Sequence, residues 1–192
     1  MMTPRQRMAT ALNLGIPDRV PTFELEFQLA EELMGKPFLT EKDLKGDSPK
    51  EQERKIAENA EYLLQVYGKL EHDAICIQYL NEEHTKETIR RIRALSGDQY
   101  MLLAHGDGTF AIPDGDGIVE FSYRMADEPE LLHEEAEKMC QDAIDYDLRM
   151  LDAGLDGFIL CSDYCFNQGP FLSPAKFAEF IAPYLTRLIE AI

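Results

Sequence analysis

Residues 153–163 read AGLDGFILCSD. Gly154 is placed to stop a preceding helix, and the run from Gly157 to Cys161 is short and apolar before it meets Ser162 and Asp163. A strand buried on both faces has this pattern, and helix-covered parallel sheets produce such strands. Upstream, Asp127-Glu128-Pro129-Glu130 opens a capped helix with Leu132, Ala136, Met139, Cys140, Ala143, Tyr146 and Met150 or Leu151 on its inward stripe. Downstream, Ser173-Pro174 caps a last helix bearing Phe177, Phe180, Ile181, Tyr184, Leu185 and Leu188, which Pro183 is expected to kink.

The same unit recurs towards the N-terminus. Tyr100 to Ala104 reads as a strand, and its sequel, from His105-Gly106-Asp107-Gly108-Thr109 to Pro113-Asp114-Gly115-Asp116-Gly117, reads as a long exposed connection. Ala74 to Leu80 is a further strand ending at Asn81, with a charged helix from about Glu83 to Leu95 behind it. Ser48-Pro49-Lys50-Glu51 opens a helix whose core stripe is Ile56, Ala60, Leu63, Leu64 and Tyr67, stopped by Gly68. Residues 20–27 alternate, with Phe23, Leu25 and Phe27 on one face and Thr22, Glu24 and Glu26 on the other, which predicts a strand. Met1 to Gly15 reads as a leading helix with Met8, Ala11, Leu12 and Leu14 on one side.

The order is a helix followed by four βα units, whose helix-length crossovers require parallel strands. A closed eight-stranded barrel typically needs about 250 residues. The 192 residues therefore predict an α/β chain of the TIM-type (β/α)8 barrel family, a single domain forming an N-terminal (β/α)4 half-barrel with a leading helix. The sequence reaches Ile192 inside a helix, which reads as a truncation. The open sheet edges call for a homo-oligomer, or the missing half, to cover them.

Composition narrows the function. Nineteen Lys and Arg stand against 36 Asp and Glu, a net charge of −17 with no basic stripe, which argues against nucleic acid as a partner. No apolar run suits a membrane span or secretory signal, so a soluble, cytoplasmic protein is expected. Cys76, Cys140, Cys161 and Cys165 form no CxxC pair and read as reduced, mostly buried thiols without a metal. His72, His84 and His133 read as surface residues, and Asp114 to Gly117 as turn chemistry without the spacing of a calcium loop.

Three segments then carry a resemblance. Met2-Thr3-Pro4-Arg5-Gln6-Arg7 with Pro17-Asp18-Arg19-Val20-Pro21, Ala153 to Ile159 with Asp163-Tyr164-Cys165-Phe166-Asn167-Gln168-Gly169-Pro170, and Leu172-Ser173-Pro174 with Phe177, Phe180, Pro183 and Tyr184 resemble the first half of the uroporphyrinogen decarboxylase-like superfamily. The resemblance implies one (β/α)8 barrel and two activities: decarboxylation in porphyrin biosynthesis, or methyl transfer between a corrinoid protein and a thiol. The decarboxylase branch carries an arginine-rich segment after the first strand, where this chain has Phe23-Glu24-Leu25-Glu26-Phe27-Gln28. It also carries an aspartate after the second strand, at a position that looks like Leu80 here. The methyltransferase branch fits better, and it implies zinc and a corrinoid protein for the full-length form. Its zinc ligands lie in the other half, so no metal or cofactor is expected in this fragment. A decarboxylase, and a silent half-barrel that dimerises or acts as a scaffold, are the alternatives.

Barrel ligands meet at the C-terminal ends of strands. Asp163, closing the fourth strand, and Glu26, on the polar face of the first, are the expected catalytic residues. Glu24, Gln78, Asn81, His105, Asp107, Tyr164 and Asn167 are the expected substrate-binding residues, the substrate being a small molecule.

Overall fold

Gly154 takes a φ of +107°, and the Leu155 amide turns back 3.2 Å to the Met150 carbonyl, so the helix before it ends where glycine permits the left-handed turn. Gly157–Ile159 then runs as a strand. The computed structural model describes residues 1–115 and 117–192. Its elements are α1 (Pro4–Leu12), α2 (Ala30–Met34), a 3₁₀ turn (Glu41–Leu44), α3 (Pro49–Lys69), β1 (Ala74–Cys76), α4 (Glu82–Ser96) and β2 (Met101–His105). There follow α5 (Gly117–Asp127), α6 (Pro129–Asp152), β3 (Gly157–Ile159), the short strands β4 (Cys165–Phe166) and β5 (Gly169–Pro170), α7 (Pro174–Phe180) and α8 (Ala182–Ala191).

The main sheet has the order β1-β2-β3 and is parallel, with Ala74, Ile75 and Cys76 opposite Met101, Leu102 and Leu103. These are the second, third and fourth strands expected from the sequence. β1 is wholly buried, whereas β3, at the sheet edge, is only half-buried. β4 and β5 form an antiparallel hairpin with Asn167 and Gln168 as its two-residue turn.

The expected first strand is absent from the sheet. Thr22 exchanges two hydrogen bonds with Asp73, its amide to the carboxylate at 2.8 Å and its carbonyl from the Asp73 amide at 2.7 Å. Three residues on, the Gln78 amide group donates to the Leu25 carbonyl. The segment is thus tied at both ends of β1, but the chain bends at Leu25 and Glu26 and no ladder forms. Alternation alone cannot supply the second neighbour that an edge segment lacks.

Residues divide into two compact units, Met1–Ala104 with Met150–Phe158, and His105–Arg149 with Ile159–Ile192. The first is cored by Ile56, Ala60, Leu63, Val66 and Tyr67 of α3, by β1 and β2, and by Ile89 and Ile92 of α4. Ser48 caps α3 through the Glu51 amide at 3.3 Å with Pro49 following, as the sequence indicated. α1 departs from expectation: Leu12 and Leu14 are exposed, while Arg7 is 5% exposed beside Met8. Arg7 reaches Asp18 and the wholly buried Asp73, and Arg19 also pairs with Asp73. The Arg7 guanidinium holds the Asp18 carboxyl down at about 2. The two arginine-bearing N-terminal motifs therefore converge on one buried carboxylate at the start of β1.

In the second unit Phe121, Leu132, Leu172, Phe180 and Ile181 form one core cluster, and Cys140, Ile144 and Leu188 another. α5 was not anticipated; it follows the stretch read as an exposed connection, and its Phe121 is buried against Phe110 of that stretch and against Phe171. The turn expected at Asp114 to Gly117 includes Asp116, which lies outside the described residues. Pro183 does more than kink the last helix. Its missing N–H and its ring break the backbone ladder, and α7 and α8 separate at Ile181. Along α6, Met139 faces out, whereas Ile144 and Asp147 take buried positions. Among the described residues no helix is long and apolar enough to cross a membrane.

Candidate functional site

The C-terminal end of β1 is shaped by Tyr79, which holds a φ of +66° with its ring exposed. Its carbonyl accepts from the Glu41 amide at 2.8 Å. The Glu41 carboxylate then gathers the amide and side chain of Asn81, at 3.0 and 2.9 Å, and Nδ1 of His84 at 2.9 Å. Asn81 Oδ1 caps α4 through the His84 amide. Gln78 and Asn81 therefore sit where expected, at a strand end, and both make local structural bonds. Glu24 and Glu26 are exposed, not on the inner face of a strand, because the strand that would have aimed them does not form. Glu26 accepts from Gln28 at 3.3 Å, and Glu24 lies within electrostatic reach of Tyr67 and His72.

At the end of β2, His105 is half-buried and Asp107 turns its Oδ1 to the backbone amides of Cys161 and Ser162, the latter at 2.9 Å. The loop after β2 is thereby fastened to the chain leaving β3. Gly108 permits it: a Cβ there would stand 2.6 Å from that of Ala143 on α6. Gly108→Ala is expected to cost about 1–3 kcal/mol by overpacking, measured as a lower urea midpoint. Beyond β3, Asp163 is exposed and its carbonyl accepts from the Ile112 amide at 2.9 Å. The Tyr164 hydroxyl meets Thr109 Oγ1 at 2.5 Å, its ring packed edge-on against Phe177. Asn167 is an exposed turn residue of the β4–β5 hairpin.

In the second unit, then, the structure brings Asp107 to the segment at Cys161 and Ser162 that Asp163 and Tyr164 continue, and leaves Asn167 on the hairpin tip. Phe110, Phe121, Tyr164, Phe171 and Phe177 surround a cavity of about 10 Å³, room for one water and not for a substrate. In the first unit a cleft of about 850 Å³ is lined by Arg5, Gln6, Asp98 and Asp156, among others, at the opposite ends of the strands. Asp156 there accepts from Arg5, Arg93 and the Leu102 amide.

The residue that sequence reasoning passed over is Asp147. It is fully buried, neither carboxylate oxygen has a hydrogen-bond partner among the described residues, and burial, then the charge of Asp107, push it up to about 7. A signal existed: Ala136, Cys140, Ala143 and Ile144, and Met150 form the apolar stripe of α6, and Asp147 occupies its next position. The expected surface histidines are also corrected. His84 is bonded to Glu41, His133 stacks on Phe180 and meets Tyr184, and His72 is half-buried with its ring against Tyr67, the burial lowering its pKa despite the nearby charges of Glu24 and Asp73. All four cysteines are thiols, but only Cys76 and Cys140 are buried; Cys161 is half-buried and Cys165 exposed. Among the described residues no three His, Cys, Asp or Glu side chains gather as a metal ion would require.

A three-stranded parallel sheet whose strands alternate with helices, with polar residues following the strands, defines an α/β chain. The solved structure of a methyltransferase from Methanosarcina mazei matches it with a TM-score of 0.72 and 14% identity, over 100% of this chain and 68% of that one. At that identity the likeness shows the fold. No family model matches the sequence, and no curated protein matches it.

Proposed function

We propose that this chain is the N-terminal (β/α)4 half-barrel of a uroporphyrinogen decarboxylase-like methyltransferase, which in full-length form moves a methyl group between a corrinoid protein and a thiol. The observation that carries the reading is the likeness, along the whole chain, to the Methanosarcina mazei methyltransferase. The acidic segment around Glu24 and Glu26 supports the same branch, since a polycarboxylate porphyrinogen would be repelled by it.

When bound, zinc lowers the pKa of an acceptor thiol and presents it as thiolate. On this reading the zinc ligands belong to the other half of the barrel. What this half contributes is substrate handling. Asp163 and Glu26 are the proton-handling carboxylates, and Glu24, Gln78, Asn81, His105, Asp107, Tyr164 and Asn167 bind the small-molecule substrate or order the loops that do. A second copy, or the remaining half-barrel, covers the half-buried edge at β3.

The test is an assay of the full-length gene product with zinc, methylcobalamin and a small alkyl thiol, following loss of the methylcobalamin spectrum. Thiol-dependent demethylation is expected, with Asp163→Asn and Glu26→Gln each lowering kcat/KM by roughly 10²-fold or more. Decarboxylation of uroporphyrinogen, or no methyl transfer with zinc present, would sink the proposal.

A further inference from the structure

The loop after β2 and the helix α6 meet unusually closely. Gly108 lies so near α6 that its absent Cβ would fall 2.6 Å from Ala143 Cβ, 3.2 Å from a Leu188 methyl and 3.6 Å from Cys140 Cα. One helical turn further along α6, Asp147 is sealed in with both oxygens unpartnered, and Asp107, one residue before Gly108, is the carboxylate whose charge acts on it. Asp107 has its own task, holding the amides of Cys161 and Ser162. A loop that fastens the chain leaving β3 is thus packed over a buried carboxyl that gains nothing from being charged.

We propose that Asp147 is a proton-operated latch on the strand-end loops. With the proton on, α6 and residues 106–109 close over it. With the proton lost to solvent, a buried charge stands on α6 that the exposed Asp107 opposes, the packing of the loop on α6 loosens, and the hold of Asp107 on Cys161 and Ser162 weakens.

Among the described residues, the charge that acts on Asp147 is that of Asp107 and no cation answers it. Asp107 opposes it. His105, the last residue of β2, is the titratable group on the same loop stem. From the chain beyond β3, the Cys161 thiol donates to the Ile159 carbonyl and Asp163 is exposed. From α8, Tyr184 is bonded to His133 and Arg187 to Glu137, two to four turns nearer the start of α6. The latch rests on this packing and not on the methyltransferase reading; it would govern access to the strand ends whatever reaction occurs there.

The experiment is hydrogen exchange on the 192-residue chain from about pH 5.5 to 8.5, corrected for intrinsic base catalysis and read at residues 105–109 and at the Cys161 and Ser162 amides. Protection is expected to fall roughly tenfold or more across that range, with a midpoint near neutrality. Asp147→Asn is expected to remove the transition, and His105→Gln to leave it in place. Carbon-detected NMR of the aspartate carboxyls supplies a reading that needs no variant, with one resonance titrating near neutrality. If every carboxyl titrates below about pH 5, or if the transition survives Asp147→Asn and vanishes in His105→Gln, the latch is refuted.

Discussion

Asp73→Ala is expected to destabilise the first unit by about 3–5 kcal/mol, seen as a fall of roughly 2 M in the urea midpoint. Asp73 is wholly buried and receives Arg7, Arg19 and the Thr22 amide. Removing it leaves the buried guanidinium of Arg7 short of its partner and an amide without an acceptor, while Arg19, 40% exposed, can turn to water. Asp73→Asn separates the two losses. It keeps an acceptor for Thr22 and removes the charge, so it should fall between wild type and alanine. If Asp73→Ala costs less than about 1 kcal/mol, the N-terminal motifs do not act through this carboxylate.

The second large effect depends on pH. Asp147 rises from 3.8 to about 7 in the folded protein, through burial first and Asp107 second. Below pH 3.8 the folded and unfolded chains both hold the proton, and the site costs nothing through ionisation. Between about pH 4 and pH 7 the unfolded chain releases its proton and the folded one keeps it, so stability drains away; above pH 7 the loss is complete. The rise bounds that loss at about 4 kcal/mol. Asp147→Asn should therefore match wild type near pH 4 and exceed its stability above pH 8 by an amount up to that bound. Parallel pH profiles for the two proteins in urea unfolding would show that Asp147 is not held neutral by the fold.

These two aspartates mark how far the sequence could be read. β1, β2 and β3 were legible, because each is an apolar run between glycine or polar punctuation, and the caps at Ser48 and Ser173 fixed where α3 and α7 begin. Asp163 and Tyr164 were singled out because a polar pair following an apolar run stands out, and the structure places them beyond β3. Glu24 and Glu26 were misplaced because alternation specifies two faces and not the neighbour that would hold a strand in register. α5 was missed because Gly115 and Gly117 signal a turn, while the burial of Phe121 that makes the helix worthwhile comes from Phe110 and Phe171.

The sequence by itself determined β1, β2 and β3 with the helices α3, α4 and α6 between and around them, their parallel connection and the polar character of the chain that follows each strand, since these follow from local periodicity, caps and connection length. Tertiary structure alone decided which charges are buried. Arg7, Asp73 and Asp147 look like surface residues in one dimension, and only the packing of distant segments removes water from around them, pairing the first two and leaving the third without a hydrogen-bond partner among the described residues.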